Sequence, residues 1–373
     1  MNEQHLHIIT HDVPYPADFG GVIDIFYKIK SLYDIGIKIK LHCFRNKRAK
    51  QSMLEQYCES VTYYSRKTIC GISLKIPYIV ASRNDKELLV NLEKDNFPVL
   101  FEGVHTTYLL FKNKLHGRKV FVRIFNVENL YYRNLALHEK NLFKRFYYST
   151  EAKLLKKYEQ KISNKAIILA LSISDKEIFQ STFKSKSVIF LPAFLPENNL
   201  KSIIGKGKYC LYHGNLNVNE NEKAVFWLIN FIFSKLKIPL VIAGFKPSNS
   251  LKNFVINQQY ISVVDTPSEK NMQLLVMNAQ INILPSFNNT GVKLKLLNAL
   301  YNGRHCLVNQ VGVEGSGLND LCSLAETANE FIEKINILFT TPFTAKEMQH
   351  RSIALKMFYD NEQNARIISE LLL

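Results

Sequence analysis

Residues 281–309 of the chain read INILPSFNNTGVKLKLLNALYNGRHCLVN. The apolar run over 281–285 is typical of a buried parallel strand, and the apolar spacing over 292–300 predicts a helix. Gly303 is a suitable helix C-cap, and the apolar residues 305–309 predict a second strand directly after it. The order strand, glycine-containing loop, helix, strand predicts a β-α-β unit in a parallel sheet.

The loop of this unit has the residues of an anion site. It contains Thr290, Gly291 and Val292, and it is followed by Lys293 and Lys295. The first amides of a helix have no acceptor inside the helix, and the helix dipole favours negative charge there. Side chains two apart on an ideal helix do not face one ligand, so one lysine is expected either in the loop or in solvent. The alternative is an ordinary β-α-β unit with solvated lysines.

A second glycine turn lies near the N-terminus. Residues 14–21 read PYPADFGG, after a strand-like run over 5–10 and before a helical pattern over 22–35. Gly20 and Gly21 have no side chain, so a ligand can approach this strand-to-helix turn closely. The alternative is that the diglycine only closes the loop.

Together these segments resemble the GT-B glycosyltransferases, and among them the family-4-like, group 1 type. That family has a P-x-x-x-G-G loop after its first strand and a G-x-K-x-K-like donor loop, similar to residues 16–21 and 291–295. Four further segments match in the same order: RIFNVE at 123–128, with Phe125 where the family has His, SISD at 172–175, YHGNL at 212–216 and GVEG at 312–315. The resemblance covers nearly the whole chain.

The resemblance implies an α/β protein of the GT-B class, with two Rossmann-like domains facing an interdomain cleft. The sequence itself shows two successive series of alternating strands and helices, separated by a proline-containing segment, LPAFLPEN. We therefore expect a first, acceptor-binding domain over residues 1–190, a linker over 191–198 and a nucleotide-sugar-binding domain over 199–345. Residues 346–373 are expected to form C-terminal helices that cross back to the first domain.

The implied activity is transfer of a sugar from a nucleotide-sugar donor to a glycan or lipid-linked acceptor, with retention and without a metal or other cofactor. Lysines and amides at a helix start can stabilise the charge on the leaving phosphate. We assign catalysis to His105, Lys293 and Lys295. The expected donor-binding residues are Gly20, Gly21, Gly214, Asn215, Thr290, Gly291, Val292, Asn298 and Glu314. The expected acceptor-binding residues are Glu102, Arg123, Asn126 and Glu128.

One position departs from the family. A Glu that contacts the ribose usually stands where this chain has Asn298, and an amide binds hydroxyls more weakly than a carboxylate does. Glu314 is the alternative residue for the ribose or the sugar.

The net charge of +16 lies mainly in the first half of the chain, where residues 1–190 hold 31 Lys and Arg against 18 Asp and Glu. Basic clusters lie at 45–50, 112–119 and 140–165, and in the last of these aromatic and basic residues interleave over one long helix or a helical hairpin, residues 127–162. Such surfaces bind anionic membranes as well as soluble anions. No apolar run of about 18 residues exists, and the N-terminus shows no secretory signal pattern. These features favour a cytoplasmic protein, with the inner face of the membrane as a peripheral location.

Three competing functions remain to be distinguished. A GT-B nucleotide-sugar epimerase would need acids bracketing the sugar, and a phosphorylase would need a longer chain and a pyridoxal-phosphate lysine. A basic nucleic-acid-binding protein would show a recognition module, and none is evident, so no nucleic acid is expected as a partner. The chain contains no D-x-D triplet and no zinc-ligand spacing, and its six cysteines are scattered, which favours a metal-independent reaction.

Overall fold

The computed structural model describes residues 3–18, 20–67, 75–196, 199–287 and 291–373. The chain divides into two compact units. The first consists of Met1–Glu197 together with Tyr359–Leu373, and the second of Asn198–Phe358. Each is an α/β unit with a parallel sheet, which confirms the expected fold class.

The first unit contains a seven-stranded sheet in the order β3-β2-β1-β4-β5-β6-β7, and all its pairings are parallel. The central strands are buried on both faces and are mostly apolar, although their buried residues include His7, Thr10, Glu102 and Arg123. The strands are β1 (His5–Thr10), β2 (Lys38–Arg45), β3 (Ser60–Ser65), β4 (Val99–Glu102), β5 (Val120–Ile124), β6 (Ile167–Ala170) and β7 (Val188–Phe190).

Helices cover both faces of this sheet and form two apolar clusters with it. They are α1 (Gly20–Asp34), α2 (Tyr78–Ala81), α3 (Lys86–Leu92), α4 (Tyr108–Phe111), α5 (Glu128–His138), α6 (Leu142–Ile162), α7 (Ile173–Ser181) and α15 (Asn361–Leu372). The C-terminal α15 packs on α1, and its Asn361 exchanges two hydrogen bonds with the backbone of Leu195. The last residues of the chain thereby complete the first unit.

The long amphipathic stretch 127–162 forms a hairpin of α5 and α6. The first helix ends at His138, where the backbone of Glu139 is extended, and the Asn141 side chain then caps α6 by accepting hydrogen bonds from the amides of Phe143 and Lys144. Of the two structures that the sequence allowed, the hairpin is therefore the correct one.

The second unit contains a six-stranded parallel sheet in the order β10-β9-β8-β11-β12-β13. Its strands are β8 (Cys210–Asn215), β9 (Leu240–Phe245), β10 (Ile261–Asp265), β11 (Ile281–Ile283), β12 (His305–Val308) and β13 (Ser323–Leu324). Its helices are α8 (Asn219–Phe231), α9 (Asn249–Val255), α10 (Glu269–Asn278), α11 (Leu294–Asn302), α12 (Gln310–Val313), α13 (Ala328–Thr340) and α14, Ala345–Tyr359, which ends at the boundary with the first unit. The order places β8 and β11 side by side, so the loops after these strands lie next to each other.

Helix α11 begins two residues later than the apolar spacing predicts. Lys293 is its N-cap with an extended backbone (φ −85°, ψ 98°), and burial of Leu296 and Leu297 fixes the face that packs inward. Lys293 therefore belongs to the loop and Lys295 to the first turn of the helix, so the restriction on two lysines of one ideal helix does not apply.

None of the helices within the described ranges is both long and apolar enough to cross a membrane.

Candidate active site

In the second unit, the helix that follows β11 brings the Lys295 side chain against β8. Its Nζ donates to Asn221 Oδ1 at 3.0 Å and to the Tyr212 hydroxyl at 3.2 Å, and it lies 4.9 Å from the centroid of the Tyr212 ring. The Asn221 amide in turn donates to the carbonyl of Asn215 at 2.9 Å. The contacts join α11, β8 and α8 at the carboxyl edge of the sheet, where parallel sheets bind ligands.

The positively charged side chains of Lys293 and Lys295 are close enough at this edge to repel each other. Burial, and then repulsion by the ammonium of Lys293, lower the pKa of Lys295 to about 8. A bound anion would favour the charged form of Lys295 and relieve this repulsion. The pair is therefore suited to a ligand that carries more than one negative charge, such as a diphosphate.

The loop before α11 approaches the same place. Gly291 has φ +64°, a left-handed conformation that other residues rarely adopt, and its carbonyl accepts a hydrogen bond from Lys293 Nζ at 2.8 Å. Val292 is half-buried beside it. Thr290, the remaining expected loop ligand, lies outside the described residues.

Two other predicted donor residues border this loop. Gly214 lies at the end of β8, where an added Cβ would be 3.9 Å from Lys295 Cδ. Asn215 follows it, is exposed, and accepts a hydrogen bond from the amide of Asn217 on its side-chain oxygen at 3.1 Å. Gly214, Asn215 and Lys295 thus lie close together at the C-terminal end of β8.

Asn298 and Glu314 occupy different positions. The Asn298 side chain accepts a hydrogen bond from Asn302 at 2.8 Å, along α11. Glu314 is exposed at the C-terminal end of α12. The loop after β11 is instead fixed by Asn309, which exchanges hydrogen bonds with the backbone of Ser286 at 2.8 and 2.9 Å.

At the carboxyl edge of the first sheet, the structure pairs His105 with a second histidine, His11. Their rings are 5.4 Å apart, and Phe125 packs edge-on against His11 at 5.7 Å. The Nδ1 atoms of both histidines are buried and have no hydrogen-bond partner among the residues that the structure describes. Burial, and then the charge of Arg83, lower the pKa of His11 to about 3 and that of His105 well below its usual value. Both rings are therefore neutral near pH 7 and can donate or accept a hydrogen bond.

The backbone before His105 is shaped by Gly103. It has φ +84°, and a Cβ at this position would lie 2.9 Å from His105 Nδ1. Glycine is therefore needed here both for the turn and for the close approach of the imidazole.

Arg83 was not singled out by the sequence analysis, because it follows a short helix without a motif. It is buried, donates from Nε to the carbonyl of His11 at 3.1 Å, and has its pKa lowered to about 9 by burial and by Arg66. His11 could have been found from its position directly after β1. The two arginines make this edge of the first unit positive.

Gly20 and Gly21 begin α1, with Gly20 exposed. The first amides of a helix have no acceptor within it. They are thus suitable donors for an anion at this turn.

Two predicted acceptor residues, Glu102 and Arg123, are instead parts of a buried ionic network. Lys28 Nζ contacts both oxygens of Glu102 at 2.8 and 2.9 Å, and it contacts Asp24 at 2.9 Å. Arg123 donates to both oxygens of Asp24 at 3.0 and 3.2 Å and also to the carbonyls of Leu191 and Pro192. All four charged side chains are at most 2% exposed. We correct the expectation for Glu102 and Arg123, because they are buried with these partners and are not accessible to an acceptor.

Glu128 and Asn126 lie at the end of β5. Burial raises the pKa of Glu128 to about 8, with further contributions from the carboxylates of Glu159 and Asp175. Glu159 accepts hydrogen bonds from the amides of Glu128 and Asn129 at 2.7 and 3.1 Å and so fixes the start of α5. Asn126 is half-buried in the turn before it. A carboxyl with a raised pKa at a strand end is a frequent feature of active sites, although structural networks show it too.

The sequence comparisons identify the second unit. A model of the family described as Glycosyl transferases group 1 matches residues 207–341. A protein of Klebsiella pneumoniae, described as an uncharacterized 44.6 kDa protein in the cps region, is 28% identical over 340 residues, which cover 84% of each chain.

Solved structures match both units. Sucrose-phosphate synthase from Thermosynechococcus elongatus has a TM-score of 0.73 at 12% identity, covering 99% of this chain and 98% of that one. A mutant of S. aureus TarM, in complex with fondaparinux, alpha-GlcNAc-glycerol and UDP, has a TM-score of 0.67 at 9% identity, covering 99% of each chain. At these identities the structural likeness establishes the fold.

Lys293 and Lys295 lie within the residues that match this family. Residues 207–341 are a glycosyl transferases group 1 domain, and the protein is a glycosyltransferase of the GT-B fold.

Proposed function

We propose that the protein transfers a sugar from a nucleoside diphosphate sugar to a hydroxyl of its acceptor, with retention and without a metal. The observation that carries this proposal is the pair of ammonium groups of Lys293 and Lys295 beside the start of α11. The UDP in the TarM complex supports a uridine nucleotide as the first donor to test.

In the proposed reaction the bond between the sugar C1 and the diphosphate oxygen breaks, and the acceptor oxygen forms the new bond to C1. Negative charge grows on the leaving oxygen. Lys293, Lys295 and the amides at the start of α11 stabilise that charge, an effect worth about 3 kcal/mol for one well-placed donor. The proton of the acceptor hydroxyl passes to the departing diphosphate.

The proposed donor site extends from the two lysines. Gly214, Asn215 and the loop with Thr290, Gly291 and Val292 bind the diphosphate and nucleoside. Within the first unit, the helix amides of Gly20 and Gly21 at the start of α1 are proposed as separate donor contacts. Asn298 or Glu314 binds the ribose. Because Asn298 already accepts from Asn302 on its own helix, its amide group rather than its oxygen is the part suited to a ribose hydroxyl.

We assign His105 to the transferred sugar and the end of β5 to the acceptor. A neutral imidazole whose buried Nδ1 has no hydrogen-bond partner among the described residues favours a hydrogen bond from a hydroxyl. Asn126 and Glu128 bind acceptor hydroxyls, and the buried Glu128 carboxyl can act as a donor because its pKa is raised to about 8.

We propose a glycan or a lipid-linked glycan as the acceptor, and a role in polysaccharide biosynthesis. The description of the Klebsiella pneumoniae relative as part of a cps region supports this role. A lipid-linked acceptor implies a cytoplasmic protein that works at the inner face of the membrane. The basic first half of the chain supports this location.

A thermal-shift screen with UDP, GDP, ADP and TDP tests the donor site, because a ligand that binds the folded state raises the apparent stability. We expect one nucleotide to raise the Tm of the wild type and not of a Lys295→Met variant. Release of that nucleotide from its sugar conjugate only when an acceptor is added would identify a transferase. Conversion of the sugar without release would identify an epimerase and contradict the proposal.

A further inference from the structure

The tip of the α5–α6 hairpin exposes a cluster of large apolar side chains. Leu137, Leu142, Phe143 and Phe146 are 66%, 75%, 88% and 76% exposed. The tip is well structured, because Asn141 caps α6 between these residues. Apolar side chains grouped in this way mark an interaction surface more often than isolated ones do.

The same hairpin is strongly basic on its outer side. Its eight cationic side chains are all exposed, namely Arg133, Lys140, Lys144, Arg145, Lys153, Lys156, Lys157 and Lys161. Of its four carboxylates, Glu128, Glu151 and Glu159 are buried, and the half-buried Glu139 accepts a hydrogen bond from the amide of Asn141 at 2.9 Å. The outer surface of the hairpin therefore attracts anions.

Behind the tip, a cavity of about 510 Å³ opens between α5, α6 and α7. Its apolar lining comes from Leu130, Ala136, Leu137, Ala152, Ile178 and Phe183, and four of the cations line it too, namely Arg133, Arg145, Lys153 and Lys156. The volume is within the usual range of small-molecule sites. An apolar cavity with cationic residues at its wall fits a ligand with one apolar chain and an anionic head.

We propose that the α5–α6 hairpin docks on an anionic phospholipid bilayer, and that the cavity accommodates one acyl chain of such a lipid. From Phe143 to Lys153 the helix rises about 15 Å. When the tip inserts with Phe143 and Phe146 among the acyl chains, the long side chains of Lys144 and Arg145 reach the lipid phosphates. Lys153 and Lys156 then lie above the layer of phosphates.

The positive charge of the hairpin surface favours an anionic bilayer over a second copy of the chain as its partner. Two copies of this surface would bring the same eight cations face to face, and that repulsion opposes a symmetric dimer. An anionic bilayer can bury the apolar side chains of the tip and at the same time pair its phosphates with the cations.

The other basic segment, residues 45–50, is less suited to this role. Arg48 is bound to Asp18 at 2.8 Å, and Lys50 lies 5.5 Å from the centroid of the Tyr63 ring. We therefore place the membrane contact on the hairpin. This inference rests on the proposed location at a membrane, but it does not require any particular sugar donor.

Vesicle flotation of the full chain tests the inference without donor or acceptor. The vesicles are phosphatidylcholine alone, or phosphatidylcholine mixed with phosphatidylglycerol. We expect binding only to the anionic vesicles and loss of binding in high salt. Phe143→Ser combined with Phe146→Ser should reduce the partition coefficient about 10-fold or more, and so should Arg145→Gln with Lys153→Gln and Lys156→Gln. Ala152→Phe, which fills the cavity without changing charge, should weaken binding by a smaller factor.

Matched controls lie elsewhere on the surface. Ile256→Ser removes an apolar side chain that is 74% exposed in the second unit, and Lys47→Gln with Lys50→Gln removes two cations of the first unit. Neither should change vesicle binding. Phe146→Trp in a Trp227→Phe background provides a single fluorescent reporter at the tip, which should show a blue shift and quenching by brominated lipid.

Unchanged binding of the Phe143 and Phe146 variant, or an unquenched reporter signal from the Phe146→Trp variant on bound vesicles, would overturn the inference. So would a concentration-dependent dimer that the same substitutions abolish, because it would identify a second copy as the occupant. If vesicles fail to bind while a nucleotide still raises the Tm, the proposed transferase function stands and this inference alone is wrong.

Discussion

Lys295 lies 4.9 Å from the ring centroid of Tyr212 and 3.2 Å from its hydroxyl, and this one contact links the first strand of the second unit to the helix after its fourth. The ring and the Asn221 side chain hold the ammonium in place at the carboxyl edge of the sheet. A cation in a fixed position needs no rearrangement when negative charge develops on a ligand. The contact thus prepares Lys295 for the diphosphate that we propose.

Lys295→Met should abolish the nucleotide-induced rise in Tm and still give a more stable protein near pH 7. The folded state lowers the lysine pKa to about 8, so between about pH 8 and 10.5 it binds fewer protons than the unfolded state does. The charged Lys295 therefore lowers the free energy of unfolding by its full amount below that pH range, and this destabilisation decreases as the pH rises through the range. Calorimetry should show a gain of about 2 °C or more at pH 7 that shrinks towards pH 10.

The exposed Lys237 offers a matched control for this substitution. Lys237→Met should leave both the Tm and the nucleotide effect unchanged. In the wild type, nucleotide affinity should weaken as the pH rises above about 8, because Lys295 then loses its charge. A Lys295→Met protein that binds the nucleotide as the wild type does would remove this residue from the donor site.

Lys293→Ala should lower the transfer rate about 10²-fold or more while the protein stays folded. The side chain stands in the loop and contacts the carbonyl of Gly291 at 2.8 Å, so its loss removes a charge without opening the core. Steady-state kinetics at saturating donor measures the effect, and circular dichroism checks the fold. Wild-type turnover would show that Lys293 is only a surface charge.

Glu128→Gln should stabilise the protein at pH 8 more than at pH 5. The folded state raises the pKa of this carboxyl to about 8, so its stability contribution is full at low pH and is lost as the pH rises from about 4.5 towards 8. Thermal unfolding at pH 5, 6.5 and 8 measures this slope. The exposed Glu177 is the control, and Glu177→Gln should leave the slope unchanged.

Arg123→Met should lower the Tm by roughly 6–20 °C, since breaking a buried ion pair costs about 3–5 kcal/mol. The substitution leaves the buried Asp24 with Lys28 as its cationic partner and leaves two backbone carbonyls without their donor. Arg366 on α15, 64% exposed and paired with Glu362, is the comparison. Arg366→Met should change the Tm by about 2 °C or less. Equal effects of the two substitutions would contradict the structural role of Arg123.

Transfer activity should survive EDTA once donor and acceptor are known. Lys293, Lys295 and the helix amides can offset two phosphate charges without a divalent cation. Assays with EDTA and with added Mn²⁺ or Mg²⁺ test this expectation. Activity that is lost with EDTA and restored by Mn²⁺ would mean that carboxylates, Glu314 first among them, act as metal ligands.

Local sequence was sufficient for the fold class. Buried parallel strands are short, nearly continuous apolar runs between turns, and that signal does not depend on distant residues. The predicted strand at 5–10 matches β1, and the predicted strand at 305–309 matches β12 to within one residue. The strand β13 was not predicted, because its two residues carry no periodicity.

The glycine loops and the lysine pair could also be found from the sequence, because they occur within a few residues of each other and of a strand end. Which lysine would belong to the helix was open. It was decided by burial of Leu296 and Leu297, which sets where α11 begins.

Only the tertiary structure decided which polar residues belong to a site and which belong to the core. Arg123 and Asp24 are 99 residues apart in the chain, Lys295 and Tyr212 are 83 apart, and His11 meets His105 across two strands. A motif shows that a charged residue follows a strand, but its pKa and its accessibility depend on the side chains that folding brings around it. Glu102 and Arg123 therefore resembled acceptor ligands in the sequence and form a buried ionic network in the folded protein.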